Sequence, residues 1–171
     1  LDEWFSVLKY LSSGASHAKK EKQKLLFALM YGCGLRVSEA CNAKWEDFSE
    51  SKKSIKILGK GNKERLAVLP SFVVNVLKES KRQGDYILGK KAFPTRTAYK
   101  YVKDLGKEAG LIQPLHPHAL RHSYATHLLS SGSDLRVLQQ LLGHKSLAAT
   151  ELYTHLDMDQ LANTMEDHHP L

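Results

Sequence analysis

The sequence predicts a mainly helical α+β fold in which several helices enclose one small antiparallel β-sheet. Three observations carry this expectation. Apolar residues recur at helical spacing, first at Leu25, Leu26, Leu29, Met30 and Cys33. The period then switches to strand-like alternation at Ile55 and Ile57, and again at Leu66 and Val68. No internal repeat, low-complexity run or Pro/Gly/Ser-rich linker divides the 171 residues, so one domain is expected.

Each element has its own local reason. Gly32 and Gly34 loosen the end of the first apolar helix, which sets Arg36 just beyond it, at the start of a short helix from Val37 to Ala43. Gly59 to Lys63 stands between the two alternating runs as a hairpin turn, with glycines that accept positive φ, and puts Lys60 at its tip. Pro70-Ser71 offers a helix start, with Val73, Val74 and Leu77 on the apolar side. Tyr86-Ile87-Leu88 is a candidate third strand. Thr95 to Ala109 reads as a helix ending at Gly110, and Pro117 suits the first turn of another that runs to Ser130. Asp134 is a candidate cap for a helix carrying Leu135, Leu138, Leu141 and Leu142, which Gly143 ends. A short helix from Leu147 to His155 would bear Tyr153, and Met158 to Glu166 would form an amphipathic tail.

Composition narrows the partners. Lys plus Arg number 25 against 18 Asp plus Glu, a net charge of +7 and a pI near 9.3, which favours a polyanion. Lys52, Lys53, Lys56, Lys60, Lys63 and Arg65 crowd one segment, while Lys90, Lys91 and Arg96 flank Phe93-Pro94. Lys56, Lys63, Arg65, Lys91 and Arg96 are the expected contacts to a phosphate backbone. No apolar run approaches the roughly 18 residues that span a bilayer, so no membrane partner is expected. No secretory leader is evident either, and a cytoplasmic, nucleoid-associated protein is the expectation. Cys33 and Cys41 have neither metal-knuckle nor redox spacing, which argues against a disulfide framework.

The most informative set is Arg36, Lys60, His118, Arg121 and His144, followed by Tyr153. Breaking and rejoining a phosphodiester needs a nucleophile, a counter-charge for the phosphorane-like transition state, and a proton for the leaving oxygen. A tyrosine can attack phosphorus once relieved of its proton, whose pKa is ordinarily about 10. Arg36 and Arg121 can grip phosphate oxygens with forked donors that stay charged. His118 lies three residues before Arg121 and can share its helix face, as a base for the tyrosine proton. Lys60 can protonate the leaving oxygen, His144 can donate to a non-bridging oxygen, and Glu39 can orient Arg36 or His118.

These residues stand in longer motifs: Gly34-Leu35-Arg36-Val37-Ser38-Glu39, Gly59-Lys60-Gly61-Asn62-Lys63-Glu64-Arg65, Pro117-His118-Ala119-Leu120-Arg121-His122-Ser123-Tyr124-Ala125-Thr126-His127, and Leu152-Tyr153-Thr154-His155. With these the chain closely resembles the catalytic domain of tyrosine recombinases, most of all the bacterial Xer type. The resemblance is weakest from Gln83 to Thr97. It implies a site-specific recombinase that cleaves and rejoins double-stranded DNA through a 3′-phosphotyrosyl intermediate on Tyr153, with no metal or other cofactor. Arg36, Lys60, His118, Arg121 and His144 carry over as the catalytic set, with Glu39 in support. It further implies a homo- or hetero-tetramer on DNA, a tail from Asp157 that docks on a neighbouring subunit, and activation by a septal DNA translocase. Residues 1–171 would be a C-terminal catalytic domain, the N-terminal core-binding domain lying outside this chain.

Blander readings compete. A tyrosine on an amphipathic helix is usually a packed aromatic, and a turn lysine is usually solvated. His118 and His122 have i, i+4 zinc spacing, but no carboxylate or thiol lies near them in sequence. A non-catalytic DNA-binding module is one alternative, although binding alone needs no tyrosine and no histidines beside the arginines. A type IB topoisomerase-like nicking and closing activity is the other; it would share the chemistry without needing an exchange tail.

Overall fold

The computed structural model describes residues 2–130. The expected helices over 134–143 and 147–155 and the tail over 158–166, with His144 and Tyr153, lie outside the described residues.

The chain opens with α1 (Asp2–Ser12), whose apolar residues Trp4, Val7 and Leu11 are buried at helical spacing. Trp4 stacks on Tyr31 at 4.9 Å between ring centroids, and Phe27 lies 5.1 Å from the same ring. α2 (Ala18–Phe27) begins at His17, whose Nδ1 accepts a hydrogen bond from the Lys20 amide at 3.2 Å. It continues into a π-helical turn, Ala28–Gly32, so the single helix expected through Cys33 is two helical types in series. Every residue of that turn is buried. Such widened turns recur at functional sites, and here the turn leads directly to Arg36. Cys33 and Cys41 are buried free thiols, and burial raises the pKa of both, Cys41 to about 11.

α3 (Val37–Cys41) is shorter than the Val37-to-Ala43 helix expected, because Asn42 leaves helical geometry and its Nδ2 donates to the Ser38 carbonyl at 2.8 Å. The sheet has three antiparallel strands in the order β1 (Phe48–Ser49), β2 (Ser54–Leu58) and β3 (Glu64–Val68). Its third strand is therefore not Tyr86-Ile87-Leu88. Tyr86 and Gly89 exchange backbone hydrogen bonds at 3.1 and 3.2 Å and close a tight turn, and that turn buries Ile87 and Leu88 without extending a ladder.

Strand register corrects a second expectation. Ile55 pairs with Ala67 and Ile57 with Arg65, so Arg65 and Ala67 lie on the inward face. Of the expected apolar pair, Val68 is buried opposite Ser54, but Leu66 is only half-buried opposite the exposed Lys56. An arginine is tolerated on the inward side because a buried carboxylate meets it there.

α4 (Ser71–Glu79) follows Pro70 and buries Val73, Val74 and Leu77, as expected. α5 (Thr95–Glu108) buries Ala98, Val102 and Leu105 and turns its charges outward. α6 (Pro117–Ser130) starts at His116, whose Nδ1 accepts from the Ala119 amide at 3.2 Å. Leu120 and Tyr124 fix α6 to the core. None of the described helices is long and apolar enough to cross a membrane.

Candidate active site

The site grows out of the turn that ends the π-helical segment. Gly34 takes φ +72, and a Cβ there would lie 2.5 Å from the Tyr124 ring. Glycine is required on both counts: a side chain is strained at that φ, and the ring occupies the space. Tyr124 of α6 is 1% exposed and packs directly against this turn. One helical turn earlier on α6, Arg121 donates from Nε to the Gly34 carbonyl at 2.8 Å. Two motifs 87 positions apart are thereby joined, and Arg121 stands beside the turn that carries Arg36.

Arg36 precedes α3, with its side chain 44% exposed. Its amide donates to Glu39 Oε1 at 2.8 Å, and its Nη1 lies 3.7 Å from Glu39 Oε2. Of the two partners expected for Glu39, Arg36 or His118, these contacts are to Arg36. Its side chain is only 3% exposed, and Arg65 reaches it from β3, Nη2 to Oε1 at 2.8 Å and Nε to Oε2 at 3.3 Å. One buried carboxylate thus faces two guanidinium groups, with a third close enough to be felt.

That surplus of positive charge acts on Arg121. Burial lowers its pKa most, the Arg36 charge lowers it further, Glu39 raises it, and Arg65 lowers it again, to about 10. Arg121 stays protonated near neutral pH, but in surroundings that an anion would relieve.

Lys60 follows Gly59, the root of the β2–β3 turn. The Gly59 amide donates to the Lys63 carbonyl at 2.7 Å, and a Cβ on Gly59 would lie 3.6 Å from Glu39 Oε2. The turn therefore springs from beside Glu39, and Gly61 at φ +73 and Asn62 at φ +59 complete it with Lys60 exposed. His118 is exposed on the first turn of α6, one turn before Arg121. The described residues thus bring Arg36, Glu39 and Arg121 together, set the Lys60 turn against Glu39, and place His118 on the helix that carries Arg121. His144 and Tyr153 lie outside them.

The expected phosphate contacts divide. Lys63, Lys91 and Arg96 are exposed, and Lys56 is exposed with its Nζ 3.8 Å from Glu64. Arg65 does not share that surface, since its guanidinium is turned inward onto Glu39. Sequence reasoning also passed over an open groove of about 590 Å³ lined by Arg96, Tyr99, Lys100, Lys103 and His116. Its cations recur along α5 at helical spacing behind Pro94, a pattern readable in the sequence. Among the described residues, no three His, Cys, Asp or Glu side chains are grouped to hold a metal ion.

The family model for the phage integrase family matches residues 3–160. The chain belongs to the phage integrase family. Relatives of this phage integrase family member include tyrosine recombinase XerC of Xanthomonas axonopodis pv. citri (strain 306), 36% identical over 157 residues, covering 87% of this chain and 52% of that protein. XerC of Halalkalibacterium halodurans is 39% identical over 166 residues, covering 87% of this chain and 55% of its own. The chain spans about half the length of the curated relatives it matches. Among solved structures, the XerA recombinase superposes with a TM-score of 0.72 at 31% identity, covering 99% of this chain and 64% of that one. The XerH recombinase in a pre-cleavage complex with its difH substrate gives 0.70 at 30% identity, covering 95% and 51%. The mainly helical fold with a small antiparallel sheet is thus shared with solved recombinases.

Proposed function

We propose that this chain is the catalytic region of a site-specific recombinase that cuts and rejoins double-stranded DNA through Tyr153, without a metal or cofactor. The observation that carries this reading is the grouping of Arg36 and Arg65 on Glu39 with Arg121 beside the same turn, where burial first and the neighbouring guanidinium charges second lower the Arg121 pKa and suit the cluster to a phosphate in transit. Arg36 and Arg121 hold the non-bridging oxygens, with His144 as a further donor. His118 accepts the Tyr153 proton, and Lys60 protonates the leaving 5′ oxygen. The exposed Lys63, Lys91 and Arg96, with the groove along α5, track the flanking backbone.

Likeness to Xer-type relatives extends the proposal. An N-terminal core-binding domain clamps the other face of the DNA, and the active assembly is a tetramer of identical or paired subunits at the nucleoid. A septal DNA translocase is its activator, and chromosome dimer resolution or mobile-element exchange is its task.

The test is incubation with nicked duplexes whose cut strand loses a short fragment, in chelator, followed by a denaturing gel. A covalent protein–DNA adduct that Tyr153→Phe abolishes is the expected result. Salt-sensitive binding without an adduct in the full-length protein would instead mark a non-catalytic DNA-binding module. Adduct formation accompanied by relaxation of a separate supercoiled plasmid, without strand exchange, would mark topoisomerase-like nicking and closing.

A further inference from the structure

Arg65 differs from the other basic residues of its hairpin. Its side chain is 11% exposed, whereas Lys56, Lys60 and Lys63 are exposed. Both oxygens of Glu39 are engaged by its fork, at 2.8 and 3.3 Å, and Glu39 is also the acceptor for the Arg36 amide. Extending the proposed function and resting on it, we propose that Arg65 is a positioning residue: acting through Glu39, it holds the Arg36 turn, keeps the Arg36 guanidinium available to the substrate, and anchors the Lys60 hairpin to α3.

Competition for one carboxylate is the physical basis. Glu39 is buried and needs a close cationic partner. Because Arg65 provides it, Arg36 Nη1 stays at 3.7 Å and its side chain remains 44% exposed. Without Arg65, the buried Glu39 would draw the Arg36 head inward, which moves the group meant for phosphate. The hairpin supplies the second link. Lys63, whose carbonyl closes the turn on Gly59 at 2.7 Å, is two residues before Arg65. The Arg65–Glu39 bond therefore anchors the base of the hairpin and leaves only the turn carrying Lys60 to move.

The experiment uses the full-length protein and the nicked substrate, with single-turnover cleavage at saturating protein, the salt dependence of binding, and thermal unfolding to establish the folded fraction. The variants are Arg65→Met, Arg65→Lys, Glu39→Gln and the double variants. Arg65→Met is expected to slow cleavage by about 10²-fold, the scale of an ångström of misplacement, with the salt slope of binding unchanged. Arg65→Lys, which keeps the charge and loses the fork, should recover part of the rate. In a Glu39→Gln background either Arg65 change should cost little more, because both act through one contact. Should Arg65→Met fail to fold, the Lys variant and its double carry the same cycle. Additive losses in either variant, or a salt slope shallower by about one for Arg65→Met, would identify a direct phosphate contact and overturn the proposal. A wild type that forms no Tyr153-dependent adduct would overturn the proposed function as well; an adduct with additive variants overturns this inference alone.

Discussion

Among the described residues, two ionic clusters tie elements together, and their charges are perturbed in opposite senses. On the side where α1, α2 and α5 meet, Lys19 sits between Asp104 at 2.8 Å and Glu108 at 3.2 Å, and the Tyr10 hydroxyl donates to Glu108. The Asp104 hydrogen bond raises the Lys19 pKa, and the Lys19 hydrogen bond lowers that of Asp104. Burial pushes Glu108 up, but the hydrogen bonds from Tyr10 and Lys19 outweigh it and leave its pKa lowered. Each shift favours the charged form, so the cluster is satisfied by its own members. At the Arg36 turn the balance is reversed: burial and neighbouring cations lower Arg121 to about 10 although Glu39 opposes them. A cluster that stabilises its own charges joins helices. One whose burial and neighbours disfavour its charge is of the kind found at functional sites.

The largest effects that test this contrast lie in the arginine cluster. Arg36→Ala and Arg121→Ala should each slow single-turnover cleavage by about 10²–10³-fold, with a much smaller loss in DNA binding. Equal losses in both would make the arginines binding groups only. Arg121→Met should also leave the melting temperature unchanged or raised. A cation whose folded pKa lies below its unfolded value opposes folding at neutral pH, and that opposition fades as pH rises through about 10. A drop of several degrees would mean that the bond to the Gly34 carbonyl outweighs the electrostatic cost.

Gly34→Ala should destabilise the fold by about 2–5 kcal/mol, combining left-handed strain with overpacking against the Tyr124 ring. Gly61→Ala is the matched control, since its φ is nearly the same and nothing lies within 4 Å; about 1 kcal/mol is expected. Equal losses by denaturant unfolding would remove the packing role given to Tyr124. Next, Lys63→Ala and Lys91→Ala should each flatten the salt slope of DNA binding by about one and leave the saturated cleavage rate unchanged. An unchanged slope would take those residues off the phosphate path.

The smallest effects belong to the self-satisfied cluster. Lys19→Ala or Asp104→Asn should cost under about 1 kcal/mol, less at high salt, with cleavage unaltered. Asp104 has a lowered folded pKa, so its contribution is present above the unfolded carboxylate pKa and is lost as pH falls through the folded one. Cleavage that fell with Lys19→Ala would break the division between the clusters.

Much of the fold was legible because its signals are local. The starts of α4, α5 and α6 are marked by Pro70, Pro94 and Pro117, and the Lys60 turn by Gly59 and Gly61. α1 was passed over, although Trp4, Val7 and Leu11 recur at helical spacing. The two-residue β1 is too short to show a period of its own, and Tyr86-Ile87-Leu88, apolar enough for a strand, folds into a turn. In the site, the residue types needed for phosphoryl chemistry could be named from their motifs, and Glu39, three positions after Arg36, could be offered as a partner for Arg36 or His118.

The sequence by itself determined the helical class, the basic surface, and the kinds of side chain that carry the proposed chemistry, because each is encoded within a few residues. Only the tertiary structure decided that Arg65 turns inward to Glu39, 26 positions away, and that Arg121 meets the Gly34 carbonyl, 87 positions away. Periodicity cannot reveal such partners: they depend on strand register and on how α6 packs against Gly34, and both are settled only when the whole core closes.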